Sequence, residues 1–116
     1  MGLATDVGGG SSFSMLATMR AAYEVGQLRG RPLHPAQLFW LATAGSAQVM
    51  RIGDKVGRLA VGMEADLVAL DLAATPVLAQ RAGRAQDVWE ALFALIMLGD
   101  DRAVRQVWAA GREVRP

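Results

Sequence analysis

The chain has 116 residues, 53% of them hydrophobic and 20% charged, and carries a net charge of +1. That is enough for one core, less than half the roughly 250 residues of a typical (β/α)8 barrel, and too apolar for intrinsic disorder. The charge balance removes the electrostatic case for a nucleic-acid partner, the lack of cysteine excludes disulfides and thiolate metal sites, and the single histidine, His34, cannot alone build a His-rich zinc site.

Met1 to Thr5 reads as a short buried strand with no run-in. It leads straight into Asp6-Val-Gly-Gly-Gly10-Ser-Ser, where three glycines permit a sharp reversal. A helix is expected from about Ser14 to Leu28, capped by Ser12 or Ser14 and stopped by Gly30-Arg31-Pro32. A second helix starts at Pro35, where the missing N–H is harmless, and carries an apolar stripe of Leu38, Leu41, Ala42, Gly45, Val49 and Met50. Arg51 to Asp54 ends it, and Val56 to Met63 reads as a turn-rich connection. Asp66 to Asp71 is a short buried strand between aspartates, and Leu72 to Arg84 is irregular with Pro76 inside it. Asp87 to Leu98 is apolar on nearly every side, so a buried helix is expected there. Ala103 to Ala109 reads as a strand, with Ala110-Gly111 turning into Arg112 to Val114. The order is strand, helix, helix, strand, helix, strand, short strand, which points to α/β architecture. The longest apolar run, Ala91 to Leu98, is far short of the ~20 residues that cross a bilayer. No signal peptide is visible, so the expectation is a cytoplasmic protein with no membrane partner.

Asp6 is the first chemical candidate, because it ends a strand and precedes a glycine-rich loop, the edge of α/β folds where ligands sit. A carboxylate there can bind a metal or take a proton from a metal-bound water; it can also simply cap the following turn. Gly8 to Ser12 lacks both the Gly-Lys-Ser/Thr ending of a P-loop and the Gly-x-Gly-x-x-Gly spacing of a dinucleotide site, so a bend beside an active site is the better reading. His34 precedes Pro35 and reads as a helix cap rather than a metal ligand. Asp66 and Asp71 lie five apart on a strand, on opposite faces, which does not suit acid–base pairing. Asp100 and Asp101 read as a solvated turn. Trp40, Trp89, Trp108, Phe39 and Phe93 fit core or subunit packing better than base stacking.

Four stretches together resemble the guanine deaminases of the amidohydrolase superfamily. Gly2-Leu-Ala-Thr-Asp6-Val-Gly-Gly-Gly-Ser-Ser-Phe-Ser-Met-Leu16 is similar to the segment around their last metal ligand, and Leu41-Ala-Thr43 with Gly45 and Ala47 to the helix that follows. Gly57-x-Leu59-x-x-Gly62-x-x-Ala65-Asp66-Leu67-Val68-x-x-Asp71 resembles the superfamily's C-terminal signature. Leu92 to Val104 and Val107 to Arg112 resemble the closing helix and hairpin. Ala4, Ala60-Val61 and Met63 depart from the usual residues without touching Asp6.

The resemblance implies the C-terminal portion of a (β/α)8 metal-dependent hydrolase barrel plus part of a small β-sandwich domain. Residues 1–55 would be the end of the barrel, its last strand and following helices. Residues 56–116 would be the C-terminal part, with composite β-domain strands and a buried helix. It implies a hydrolase that converts guanine and water to xanthine and ammonia, with Zn2+ as cofactor and a homodimer as the assembly. Asp6 is the implied metal ligand and catalytic proton acceptor; the histidine ligands and a glutamate would lie upstream of Met1. The chain alone is therefore expected to be inactive. The other readings are an amidohydrolase acting on another aminated heterocycle, such as a triazine or pterin, and a non-catalytic, self-associating remnant.

Overall fold

The computed structural model describes residues 1–114, so Arg115 and Pro116, the end of the expected segment 56–116, lie outside the described residues. Helix α1 spans Met15–Leu28. Its cap is Ser14, whose Oγ accepts from Ala17 N at 3.3 Å, while Ser12 Oγ accepts from Ser14 N one turn earlier. Leu16 and Met19 face inward from it.

The long helix expected after Pro35 is broken in two. Helix α2 runs over Pro35–Ala42 and α3 over Ala44–Val49, with Thr43 between them at φ −125°, ψ −98°. Competing hydrogen bonds account for the break. Leu41 O near the break accepts from Leu3 N at 2.9 Å and from Ser46 Oγ at 2.8 Å, and Thr43 Oγ1 turns back to Phe39 O at 2.7 Å. Gly45 also lets the Trp40 ring fold over the junction, where a Cβ would meet the ring at 2.8 Å.

Strand β1 is Leu67–Leu70. Helix α4, Pro76–Ala82, occupies the stretch that reads as irregular. Thr75 Oγ1 accepts from Leu78 N at 3.2 Å and Pro76 opens the first turn, so the proline starts a helix rather than interrupting one. Helix α5, Val88–Leu98, is capped by Asp87, whose Oδ1 accepts from Glu90 N at 2.9 Å, while Glu90 Oε2 accepts from Gln86 N at 2.9 Å. It is not buried throughout. Ala94, Leu95 and Ile96 are, but Val88 and Trp89 at its start are exposed, although the Trp89 ring meets His34.

A 3-10 turn at Asp101–Ala103 leads into β2, Val104–Ala109, and β3, Arg112–Val114. The sheet is antiparallel with order β1-β2-β3. Leu67 pairs with Trp108 and Val107 with Val114, and a bulge between Ala69 and Leu70 shifts the register. Ala110 (φ 49°) and Gly111 (φ 76°) make a two-residue turn with both φ positive, the type that suits strand twist. Alanine is held there because its N–H donates to Asp66 Oδ1 at 2.7 Å and Gly111 N donates to Ala65 O at 3.0 Å.

The expected strand over Met1–Thr5 does not form. A strand is defined by its ladder, and residues 1–5 pair with no strand among the described residues. They are tied instead to the helices, through Leu3 N to Leu41 O and through the Ser46 hydroxyl, whose one proton is shared between Leu3 O at 2.9 Å and Leu41 O at 2.8 Å.

The core joins α1, α2, α4 and α5, with Leu38, Leu78, Leu95 and Ile96 wholly buried. Helix α5 touches α1, α2 and α4. Arg20 fastens the end of α5 to α1, its Nε donating to Ile96 O at 3.3 Å and its Nη2 to Gly99 O at 3.4 Å. No helix among the described residues is long and apolar enough to cross a membrane. Leu95→Ala leaves a cavity where these helices meet and is expected to lower unfolding free energy by about 2–5 kcal/mol in urea. Val61→Ala, at a wholly exposed position, should stay within about 0.5 kcal/mol of wild type. Equal losses from the two would contradict this core.

Candidate functional site

Asp6 sits in the left-handed region at φ 52°, which aspartate tolerates better than most residues. Its carbonyl accepts from Gly9 N at 3.0 Å and from Gly10 N at 2.5 Å, closing a tight reversal. Gly8, at φ 100°, carries the chain through the turn. Gly10 must lack a side chain because a Cβ there would overlap the Thr5 carbonyl oxygen. Two of the loop's N–H groups are thus spent on Asp6 O rather than pointed at an anion, in keeping with a bend beside a site.

The carboxylate itself is exposed and accepts no hydrogen bond among the described residues. It is free to take a ligand. Val7 and Phe13 beside it are 72% and 80% exposed, so the loop presents apolar surface around the charge.

The chain before Asp6 is clamped. Gly2 lies against α3 so closely that a Cβ would be 2.6 Å from Ser46 Oγ. With the two hydrogen bonds at Leu3, this sets where Asp6 starts from. Sequence reasoning passed over Ser46 and Gly2; small residues on facing segments were the one signal available.

No group of three or more His, Cys, Asp or Glu residues that could hold a metal ion exists among the described residues. His34, Asp66, Asp71 and Asp100 are engaged elsewhere. His34 caps α2, its Nδ1 accepting from Ala36 N at 3.2 Å, while Gln37 Oε1 accepts from His34 N at 2.9 Å. The proton of a neutral His34 therefore sits on Nε2, and the ring stands edge-on to Trp89 at 5.7 Å. Asp66 holds the hairpin turn. Asp71 Oδ1 accepts from Ala73 N at 2.8 Å, and its Oδ2 lies 3.5 Å from Arg105. Asp100 caps the 3-10 turn and grips Arg102 with both oxygens. Phe93 packs edge-on against Tyr23 at 4.9 Å, and Phe39 packs against the core.

Two surface hollows among the described residues are lined by residues other than Asp6. One of about 560 Å³ lies between α1 and α5, bordered by Tyr23, His34, Arg81 and Trp89. The other, about 800 Å³ and largely apolar, runs along Met1, Leu3, Val25 and Leu41 beside the segment that leads to Asp6.

The Arg102 guanidinium holds the Asp100 carboxyl below the ordinary aspartate value, chiefly through the side-chain hydrogen bond. A depressed carboxyl pKa adds stability above the unfolded value and loses it as pH falls through the folded one. Wild type should therefore outlast Arg102→Gln at neutral pH and lose that small advantage in acid, while the Asp100 titration followed by NMR moves up in the variant. Identical titrations would contradict the pairing.

The model of the amidohydrolase family matches residues 1–114. The chain is 38% identical over 114 residues to the guanine deaminase of Escherichia coli strain K12, covering 98% of this chain and 26% of that protein. The solved E. coli guanine deaminase superposes with a TM-score of 0.94 over 98% of this chain and 27% of that one. Guanine deaminase from Bradyrhizobium japonicum superposes at 0.86, with 32% identity, over 99% of this chain and 31% of that one. An adenosine deaminase from Xanthomonas campestris with bound zinc superposes at 0.72, with 28% identity, over 88% of this chain and 22% of that one. The chain thus spans about a quarter of the length of the curated relatives it matches.

Proposed function

The chain belongs to the amidohydrolase family, and from that premise we propose that it is the Asp6-bearing, C-terminal quarter of a zinc-dependent guanine deaminase. The observation that carries this is an exposed carboxylate, free of hydrogen bonds among the described residues, on a loop built to hold it, in a chain 38% identical to a guanine deaminase. Residues 1–5 support it as the last strand of a barrel: they have an apolar groove beside them and no strand to pair with among the described residues. The division into 1–55 and 56–116 belongs to the same proposal, as does a cytoplasmic homodimer.

The donor chemistry of Asp6 fits zinc, which accepts carboxylate oxygen. One carboxylate is too few, so the other ligands would come from residues outside this chain. When bound, zinc makes a coordinated water acidic enough, with a pKa of about 7, to supply hydroxide at neutral pH. The work left to this chain is local. The turn at residues 6–10 holds the Asp6 backbone, from which the carboxylate reaches out. One oxygen would hold the ion, and the other would take the proton released as water adds to the ring carbon that bears the amino group. Passing that proton to the departing nitrogen balances guanine and water against xanthine and ammonia.

Two measurements test this. The 116-residue chain titrated with Zn2+ by calorimetry should show no stoichiometric site of nanomolar affinity, and it should release no ammonia from guanine. A longer polypeptide containing these residues should release ammonia from guanine, and Asp6→Asn should lower its kcat by about a hundredfold or more. Ammonia release from a triazine or pterin but not from guanine would favour a related deaminase. Full activity in Asp6→Asn would sink the role given to Asp6.

A further inference from the structure

We propose that Gly9 is a positioning residue for the Asp6 carboxylate, its missing side chain making the space in which that carboxylate lies. The inference rests on Asp6 as a metal ligand and concerns what directs it.

The three glycines of the loop have three different reasons to be glycine. Gly8 has a positive φ of 100° and nothing within 4 Å of where a Cβ would stand, so its reason is backbone conformation alone. Gly10 is needed because Thr5 O fills its side-chain position. Gly9 has neither reason. Its φ is not positive, and no backbone atom is among the near neighbours of its Cβ position. What stands there is the Asp6 side chain: a Cβ would be 2.8 Å from Oδ2, 3.4 Å from Cγ and 3.7 Å from Oδ1. The carboxylate occupies the place where a Gly9 side chain would stand.

A methyl group at Gly9 keeps the N–H that donates to Asp6 O, so the turn is retained. Alanine is also acceptable to a backbone without positive φ. The substitution therefore falls on one torsion, the rotamer of Asp6. The carboxylate has no hydrogen-bond partner among the described residues to resist rotation, and it must turn away from its present direction. A ligand aimed in the wrong direction weakens a metal site even when every ligand is still present.

The test uses the full-length, zinc-loaded enzyme that contains these residues. Zinc affinity, the visible spectrum of the Co2+-substituted protein and Tm are measured for Gly9→Ala, Gly8→Ala and Asp6→Asn. Gly9→Ala is expected to weaken zinc binding by about 10–100-fold and to change the cobalt spectrum, with Tm unchanged. Gly8→Ala, whose methyl points into open space, is expected to lower Tm through backbone strain. Gly9→Ala with wild-type zinc affinity, while Asp6→Asn loses zinc, would overturn the positioning role and leave the metal role standing. A Tm loss in Gly9→Ala matching that of Gly8→Ala would also overturn it, since the effect would then be on the fold. Wild-type zinc affinity in Asp6→Asn would overturn the metal role itself.

Discussion

Two hydrogen bonds at Leu3, from its N–H to Leu41 O and from Ser46 Oγ to its carbonyl, hold the start of the chain against the broken helix α2–α3. Backbone groups of an apolar segment need partners, and with no strand beside it among the described residues this one takes them from helices. The same contact breaks the helix. Leu41 O serves Leu3 and Ser46, and Thr43 turns out of the helical path. Anchorage of residues 1–5 and the kink at Thr43 are thus one interaction seen from two sides. Asp6 follows three residues after the anchor, so its position is inherited from the helical layer.

That layer is in turn held by α5, whose buried residues Ala94, Leu95 and Ile96 meet α1 and α2. Arg20 ties the exit of α5 to α1 by donating to two carbonyls. The second half of the chain therefore supports the first six residues at a distance. Several of its polar groups are spent on structure. Asp66 and Gly111 close the hairpin, Asp71 leans on Arg105, and Asp100 binds Arg102. Asp6 has no side-chain partner among the described residues, and neither have Glu24, Asp54, Glu64 and Asp101. What sets Asp6 apart is its place at the head of the glycine turn, where its own carbonyl accepts from Gly9 and Gly10.

Much of the fold is legible in the sequence where a local signal decides the outcome. Ser14, Pro35 and Asp87 start helices by satisfying the first turn, and Ala110-Gly111 turns a hairpin. Helix α4 has the same start signal, Thr75-Pro76, but a proline within a mixed stretch also reads as an interruption. The kink at Thr43 is not legible, because it depends on Leu3, about forty residues away in sequence. The strand expected at residues 1–5 is missed for the same reason: an apolar run shows that burial is wanted, and only a neighbour makes it a strand. The exposed start of α5 repeats the point, since Val88 is apolar and more than half exposed. Asp6 stands out in the sequence by its place before the glycines, where a turn cap and a ligand read alike. The separate roles of Gly8, Gly9 and Gly10 could not, because three identical letters stand for a φ value, a carboxylate and a carbonyl.

The central claim is that Asp6 completes a metal site whose other ligands lie outside these residues. The most direct measurement is the DNA sequence upstream of the Met1 codon. The account predicts a reading frame that stays open and encodes a His-x-His motif, then a further histidine and a glutamate. An in-frame stop codon with a ribosome-binding site directly before Met1 would contradict it, and the function of the short chain would then lie in what it binds.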